Sequence, residues 1–281
     1  MLSYVRLVEI EIHSYCNRKC AWCPNAKIDR SKFIELPEGL YLKTLEELKG
    51  LNFSGTLSFS RYNEPMSKAT LLKERLNQAK EILPASRRVC NTNGDYLEWN
   101  KLNGLPIDEL TIMDYDCIGL QNCLDRLRDM HARIVSINYP YVQAQHGDIA
   151  IIYFVDWPTN ALLTDRGGFF RFDIYNKGNK MKLLNGQIRN IPCLEPKYFI
   201  GIDYNGDVTP CCQIRGDNPE HRKYILGNLN ESPLEEIFSS RKAKKFIRML
   251  KSNHYERYPP TCKMCSKNPG RYTRDNPGID Y

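Results

Sequence analysis

A chain of 281 residues that is 42% hydrophobic can bury a core, so disorder throughout is excluded. Forty Lys and Arg against 33 Asp and Glu leave a net charge of +7, which permits an anionic ligand without demanding nucleic acid. The longest apolar run, IAIIYFV at 149–155, suits a buried strand and is far shorter than the roughly 20 residues of a membrane span.

Read in chain order, VRLVEIEI at 5–12 is a buried strand, followed by a cysteine-rich loop. Glu9 and Glu11 interrupt any apolar h-region, so this stretch is not expected to be a signal peptide, and a soluble cytoplasmic protein is expected. Tyr41, Leu45 and Leu48 share one helical face that stops at Gly50. TLSFS at 56–60 is a second strand, and Leu72, Leu76, Ala79 and Leu83 mark a second amphipathic helix. A third strand ends in VCN at 89–91, and ELTIM at 109–113 is a fourth. Leu120, Leu124 and Leu127 define another helix, then RIVSIN at 133–138 and IAIIYFV give the fifth and sixth strands.

Strands alternating with helices imply βα units on a parallel sheet. Five or six units suit an open partial barrel, since a full eightfold one takes about 250 residues. Ligands of such folds sit at the carboxyl ends of the strands, so the loop after the first strand lies at the functional end. Beyond residue 190 the pattern changes. YFIGIDYNGDVT at 198–209 carries Asn205-Gly206, a type I′ hairpin signal. Ser232-Pro233-Leu234-Glu235 has a capping-box arrangement that opens a basic helix running to about Lys251. Its cations, Arg241 to Lys245 with Arg248 and Lys251, suit the wet face of an amphipathic helix. Two domains are expected, 1–189 and 190–281.

Eleven cysteines are unusual for a chain not expected to carry a secretory signal, and point to metal or iron–sulfur ligation rather than disulfides. Cys16, Cys20 and Cys23 form C-x3-C-x2-C after the first strand. Three thiolates can hold three corners of a cubane cluster and leave one iron open to a small chelating molecule. Structural zinc wants four ligands, and this loop supplies three. Trp22, just before the third cysteine, can offer a flat face to a purine. A second set, Cys193 and Cys211 around the hairpin with Cys262-x2-Cys265, has the four ligands of a closed site. From spacing alone zinc competes with iron–sulfur there. Cys90, Cys117, Cys123 and Cys212 remain, and packing as small hydrophobes is the common role for such residues.

The cysteine loop with its aromatic resembles the signature of the radical S-adenosylmethionine (SAM) superfamily. Tyr62-Asn63-Glu64-Pro65 after the second strand occupies the place of that family's GGE motif, with Asn63 where glycine is usual, so Glu64 carries over better than its neighbours. Asn91-Thr92-Asn93-Gly94 after the third resembles its TNG stretch. The second cysteine set resembles the Twitch form of the SPASM domain, which holds one auxiliary [4Fe-4S] cluster.

This resemblance implies a partial (β/α)6 TIM-like barrel with a small C-terminal α+β Twitch domain and two [4Fe-4S] clusters. Trp22, Glu64, Asn93 and Arg166 would contact SAM. The family cleaves SAM to a 5′-deoxyadenosyl radical that abstracts hydrogen from a substrate carbon. The expected activity is oxidation of a polar, sugar- or cyclitol-like small substrate, with the auxiliary cluster as electron acceptor and flavodoxin or ferredoxin as external reductant. Leu163 to Gly168 resembles the alcohol-oxidising branch and makes Arg166 a catalytic candidate. Asp114 and Asp116 are candidate bases, and Cys117, after the fourth strand, is the best-placed hydrogen-atom donor. Three alternatives stand beside this: epimerisation with a cysteine donor, modification of a ribosomal peptide, and a zinc-binding nucleic-acid or protein interaction module. No membrane or nucleic-acid partner is expected.

Overall fold

The computed structural model describes residues 2–160, 175–176, 179–181, 192–263 and 265. The strands are β1 (Leu7–Ile10), β2 (Thr56–Ser58), β3 (Arg87–Thr92), β4 (Glu109–Met113), β5 (Arg133–Asn138), β6 (Tyr141–His146) and β7 (Ile149–Phe154), then the short β8 (Tyr175–Asn176) and β9 (Asn179–Lys180), and finally β10 (Phe199–Ile202), β11 (Asp207–Thr209) and β12 (Gly227–Asn228). The helices are α1 (Glu38–Gly50), α2 (Ala69–Ile82), α3 (Trp99–Leu102), α4 (Leu120–Asp129), α5 (Trp157–Asn160), α6 (Glu195–Tyr198), α7 (Leu234–Ser239), α8 (Arg241–Lys251) and α9 (Pro260–Lys263).

One ten-stranded sheet runs in the order β12-β11-β10-β1-β2-β3-β4-β7-β6-β5. Its centre, from β10 through β1, β2, β3 and β4 to β7, is parallel throughout. The predicted strands are present, but the fifth plays another part. RIVSIN is not a parallel strand: as β5 it pairs antiparallel with β6, which pairs antiparallel with β7. Its alternate side chains are exposed because it forms the sheet's outer edge. IAIIYFV, fully flanked, takes the place beside β4. The sixth parallel strand, β10, comes from beyond residue 190 and lies directly against β1.

The core is built by the predicted stripes. Tyr41, Leu45 and Leu48 of α1 and Leu72, Leu76 and Ala79 of α2 are buried against the sheet's Leu57, Cys90 and Leu110. Each such aliphatic side chain contributes about 1.5–3 kcal/mol on burial. No helix among the described residues is long and apolar enough to cross a membrane.

Two local expectations fail. The hairpin between β10 and β11 is not type I′: Gly206 alone is left-handed, at φ +84°, and its N–H donates to the Asp203 carbonyl at 2.8 Å. Asn205 instead uses its side chain, accepting from the Asp207 N–H at 3.1 Å. The basic helix is two helices, with Ser240 between them accepting from the Ala243 N–H at 3.1 Å. The α7 start is capped by Glu47 of α1, which accepts from the Leu234 N–H at 2.6 Å, so no local capping box is formed.

Candidate functional site

Parallel pairing puts the carboxyl ends of β1, β2 and β3 on one edge of the sheet. The three motif loops therefore converge. Cys16, Cys20, Cys23, Trp22, Glu64 and Asn93, six of the residues singled out from the sequence, line one cavity of about 1210 Å³ measured to its open mouth. Cys16 and Cys20 sit half-buried beside the third thiol on this wall. Burial, with neighbouring thiolates adding, pushes Cys16 up to about 11 and Cys20 up to about 12. Thiols raised in this way favour the protonated form alone and ionise when a cation arrives, as ligation requires.

Glu64 is 2% exposed, and each of its oxygens is engaged. Thr92 Oγ1 and the Asn93 N–H donate to it at 2.7 and 2.8 Å, and the Met66 N–H at 3.1 Å. Desolvation nevertheless outweighs these bonds and raises its pKa to about 7. A buried carboxylate so placed is starved of a cation, which an ammonium would supply. Asn93 is fixed in turn by donating to Asn17 Oδ1 at 3.0 Å and accepting from the Asp95 N–H at 3.0 Å. Trp22 joins Tyr115 and Trp157 in an aromatic wall, with centroids 5.2–5.6 Å apart.

The second set also assembles. Cys193, Cys211, Cys262 and Cys265 line a separate cavity of about 450 Å³ whose walls include Ile214, Phe246 and Leu250. Cys211, half-buried, has its pKa raised by desolvation and then by the other thiols. Four sulfurs on one zinc, each at about 2.3 Å, would stand within about 4 Å of one another. Among the described residues no three His, Cys, Asp or Glu side chains close on a single ion in that way. The thiols ring a void instead, which fits a cluster better than one metal ion.

Two catalytic candidates are elsewhere. Asp114 is a backbone staple: it accepts from the Ile118 N–H at 3.1 Å and the Asp156 N–H at 3.0 Å and is absent from the cavity wall. Cys117 is exposed at φ +53°, its thiol 3.8 Å from Thr159 Oγ1, and does not line the cavity either. Asp116 pairs with Arg18 at 2.6 Å. Arg166 lies outside the described residues. Cys90 and Cys123 are buried in the core, as expected of small hydrophobes. Cys212 is the exception: it is on the wall of the first cavity, one residue from a thiol of the second.

Other residues on or next to the cavity wall were not singled out from the sequence. Arg18 lines the cavity and is held by both Asp95 and Asp116. Arg61 is buried, paired with Asp203 at 3.0 Å, and donates to Thr209 Oγ1 at 2.8 Å and to the Ile214 carbonyl. It ties the Glu64 loop to the Cys211 loop, and Gly201 is the slot it needs, since a Cβ there would collide with its Nη1. Arg215, 1% exposed, joins Asp217 at 2.6 Å and stacks 4.1 Å from the Tyr62 ring. Tyr62 donates to the Cys212 carbonyl at 2.6 Å. Position inside a motif loop was the available signal for Arg18 and Arg61.

Comparison with known proteins agrees with this assembly. Residues 193–266 match the SPASM family, described as an iron–sulfur cluster-binding domain. The chain is 26% identical over 261 residues to the S-adenosyl-L-methionine-dependent 2-deoxy-scyllo-inosamine dehydrogenase of Niallia circulans, covering 92% of each. A crystal structure of BtrN in complex with AdoMet and 2-DOIA superposes with a TM-score of 0.68 at 24% identity, over 94% of this chain and 93% of that one. A structure of anSMEcpe with bound AdoMet gives 0.51 at 14% identity, over 88% and 81%. The structural likenesses bear on the fold, and the α/β architecture expected from the sequence is borne out. So is the resemblance to radical SAM oxidoreductases carrying a SPASM-type iron–sulfur domain.

Proposed function

We propose that the chain is a cytoplasmic radical SAM dehydrogenase that oxidises a hydroxyl-bearing carbon of a small cyclitol- or sugar-like substrate. One observation carries this: three separately read motifs contribute Cys16, Cys20, Cys23, Trp22, Glu64 and Asn93 to a single cavity. In this reading residues 1–189 form the radical-generating unit and 190–281 the auxiliary unit. Bound there, SAM and its [4Fe-4S] cluster supply a 5′-deoxyadenosyl radical for hydrogen abstraction. Cys16, Cys20 and Cys23 hold three corners of that cluster. Glu64 takes the SAM ammonium, Asn93 orients the ribose and carboxylate end, and the Trp22 wall flanks the adenine. Cys193, Cys211, Cys262 and Cys265 hold a second, fully ligated cluster, which suits an electron acceptor with no place for substrate.

The test is anaerobic incubation with SAM and dithionite. The holoprotein should carry about eight irons, from two four-iron clusters, and release methionine and 5′-deoxyadenosine. A Cys16→Ala, Cys20→Ala, Cys23→Ala variant should keep about half the iron and lose that cleavage. Cleavage retained by the variant would defeat the assignment.

Cys212 favours a second outcome at the same site. A thiol on the cavity wall can return a hydrogen atom to the substrate radical, giving an epimer. Turnover in deuterated solvent separates the two, because label at the reacting carbon belongs to epimerisation and an unlabelled ketone to oxidation.

A further inference from the structure

The six cations of α8 are Arg241, Lys242, Lys244, Lys245, Arg248 and Lys251, all exposed. No acidic side chain among the described residues pairs with any of them. Local helix physics opposes this arrangement. Arg241–Lys245 and Lys244–Arg248 are like charges four residues apart, which repel on a helix surface. The first four residues hold three cations and no acid, against the preference of the macrodipole for negative charge there. A wet face needs only polar side chains, so this single-sign face needs another explanation.

The opposite face of the same helix supplies one. Phe246 and Leu250 are part of the wall of the auxiliary cysteine cavity. The Leu250 carbonyl accepts from the Cys193 N–H at 2.8 Å, which joins the helix directly to a ligand residue. The width of one helix, about 10 Å, thus lies between a dense positive surface and the cavity lined by the four cysteines.

We propose that the outer face of α8 is the docking surface for a small acidic one-electron carrier protein, and that the carrier discharges the auxiliary cluster through this helix. The proposal rests on the function given above. When the substrate radical loses its hydroxyl proton and becomes a carbonyl, one electron passes to the cluster held by Cys193, Cys211, Cys262 and Cys265. That electron then enters the oxidised carrier, which becomes its one-electron-reduced form, and no bond changes at α8. The reduced carrier holds the same single electron that SAM cleavage consumes, so it can return it to the first cluster. Taken over a cycle, SAM and an alcohol give methionine, 5′-deoxyadenosine, a ketone and one proton.

Oxidised flavodoxin is the probe. Holoprotein reduced with dithionite and desalted anaerobically is mixed with it, and flavin reduction is followed by stopped flow, with binding measured by calorimetry. Electrostatic steering raises association rates by roughly 10- to 1,000-fold and fades with ionic strength. The wild-type rate should therefore fall by about tenfold or more on going from low to high salt. A Lys244→Gln, Lys245→Gln, Arg248→Gln variant should lose about tenfold in rate at low salt, lose the salt dependence and bind flavodoxin more weakly. Its dithionite-driven SAM cleavage and its iron content should stay as in the wild type. The wild-type salt series tests the surface without any variant. Unchanged rate and binding in the variant would overturn the proposal. So would duplex DNA or anionic phosphatidylserine vesicles losing affinity for the variant while flavodoxin does not. Failure of SAM cleavage sinks the proposed function and leaves flavodoxin binding to α8 as a separate result.

Discussion

The two cysteine cavities differ in the ways that a reaction chamber and an electron store should. The first has three thiols and a wide, mixed wall in which Glu64, Asn93, Arg18 and Trp22 offer charge, hydrogen bonds and an aromatic face. The second has four thiols, less space and walls such as Ile214, Phe246 and Leu250. An incomplete ligand set beside polar groups leaves room for a molecule that must be bound, turned and released. A complete set among mostly apolar groups leaves little room for a ligand, which suits the electron-transfer role proposed for it. Cys212, Tyr62 and Arg61 connect the two, since Tyr62 donates to the Cys212 carbonyl and Arg61 to the Ile214 carbonyl.

If that division of labour is right, the two sites should fail differently. Cys211→Ala should abolish ketone formation, keep SAM cleavage and retain about half of the iron, as liquid chromatography and iron assay would record. Loss of both activities together would break the comparison. A smaller effect is expected at Glu64, whose charge meets an ammonium in a dry setting. Glu64→Gln removes a charged hydrogen bond of about 1.5–3 kcal/mol, so SAM affinity should fall roughly 10- to 100-fold by calorimetry. The auxiliary cluster spectrum should not move. Smallest of all is Cys117→Ala: an exposed thiol off the cavity wall should leave turnover within about twofold, inside the range of a neutral surface change. A tenfold loss there would show that the chamber extends beyond the wall described.

Much of this was legible from residue order because parallel sheets put every strand end on one edge. Once β1, β2 and β3 were recognised, the loops holding Cys16, Glu64 and Asn93 had to meet. Asp114 follows the same rule after β4, but its short side chain finds the Ile118 and Asp156 amides first and turns away. β6 was hidden because YVQAQH is half polar and follows Tyr139-Pro140, which reads as a break. The identity of the sixth parallel strand was out of reach, since pairing of β10 with β1 joins residues nearly two hundred positions apart. Arg61 and Arg215 escaped for a related reason. Their meaning lies in partners such as Asp203 and Asn25 that only the folded chain brings near. Cys212 looked like a packing residue beside a ligand, and only the turn after β11 decides that it stands on the wall of the other cavity.

The whole account turns on whether SAM binds metal at the Cys16, Cys20 and Cys23 site. Electron–nuclear double resonance of the reduced holoprotein with SAM labelled by nitrogen-15 in its amino group addresses this directly. Nitrogen coupling to one cluster, absent from the Cys16→Ala, Cys20→Ala, Cys23→Ala variant, is the predicted result. Zinc as the bound metal, or a reduced cluster whose spectrum shows no coupling to labelled SAM, would contradict it.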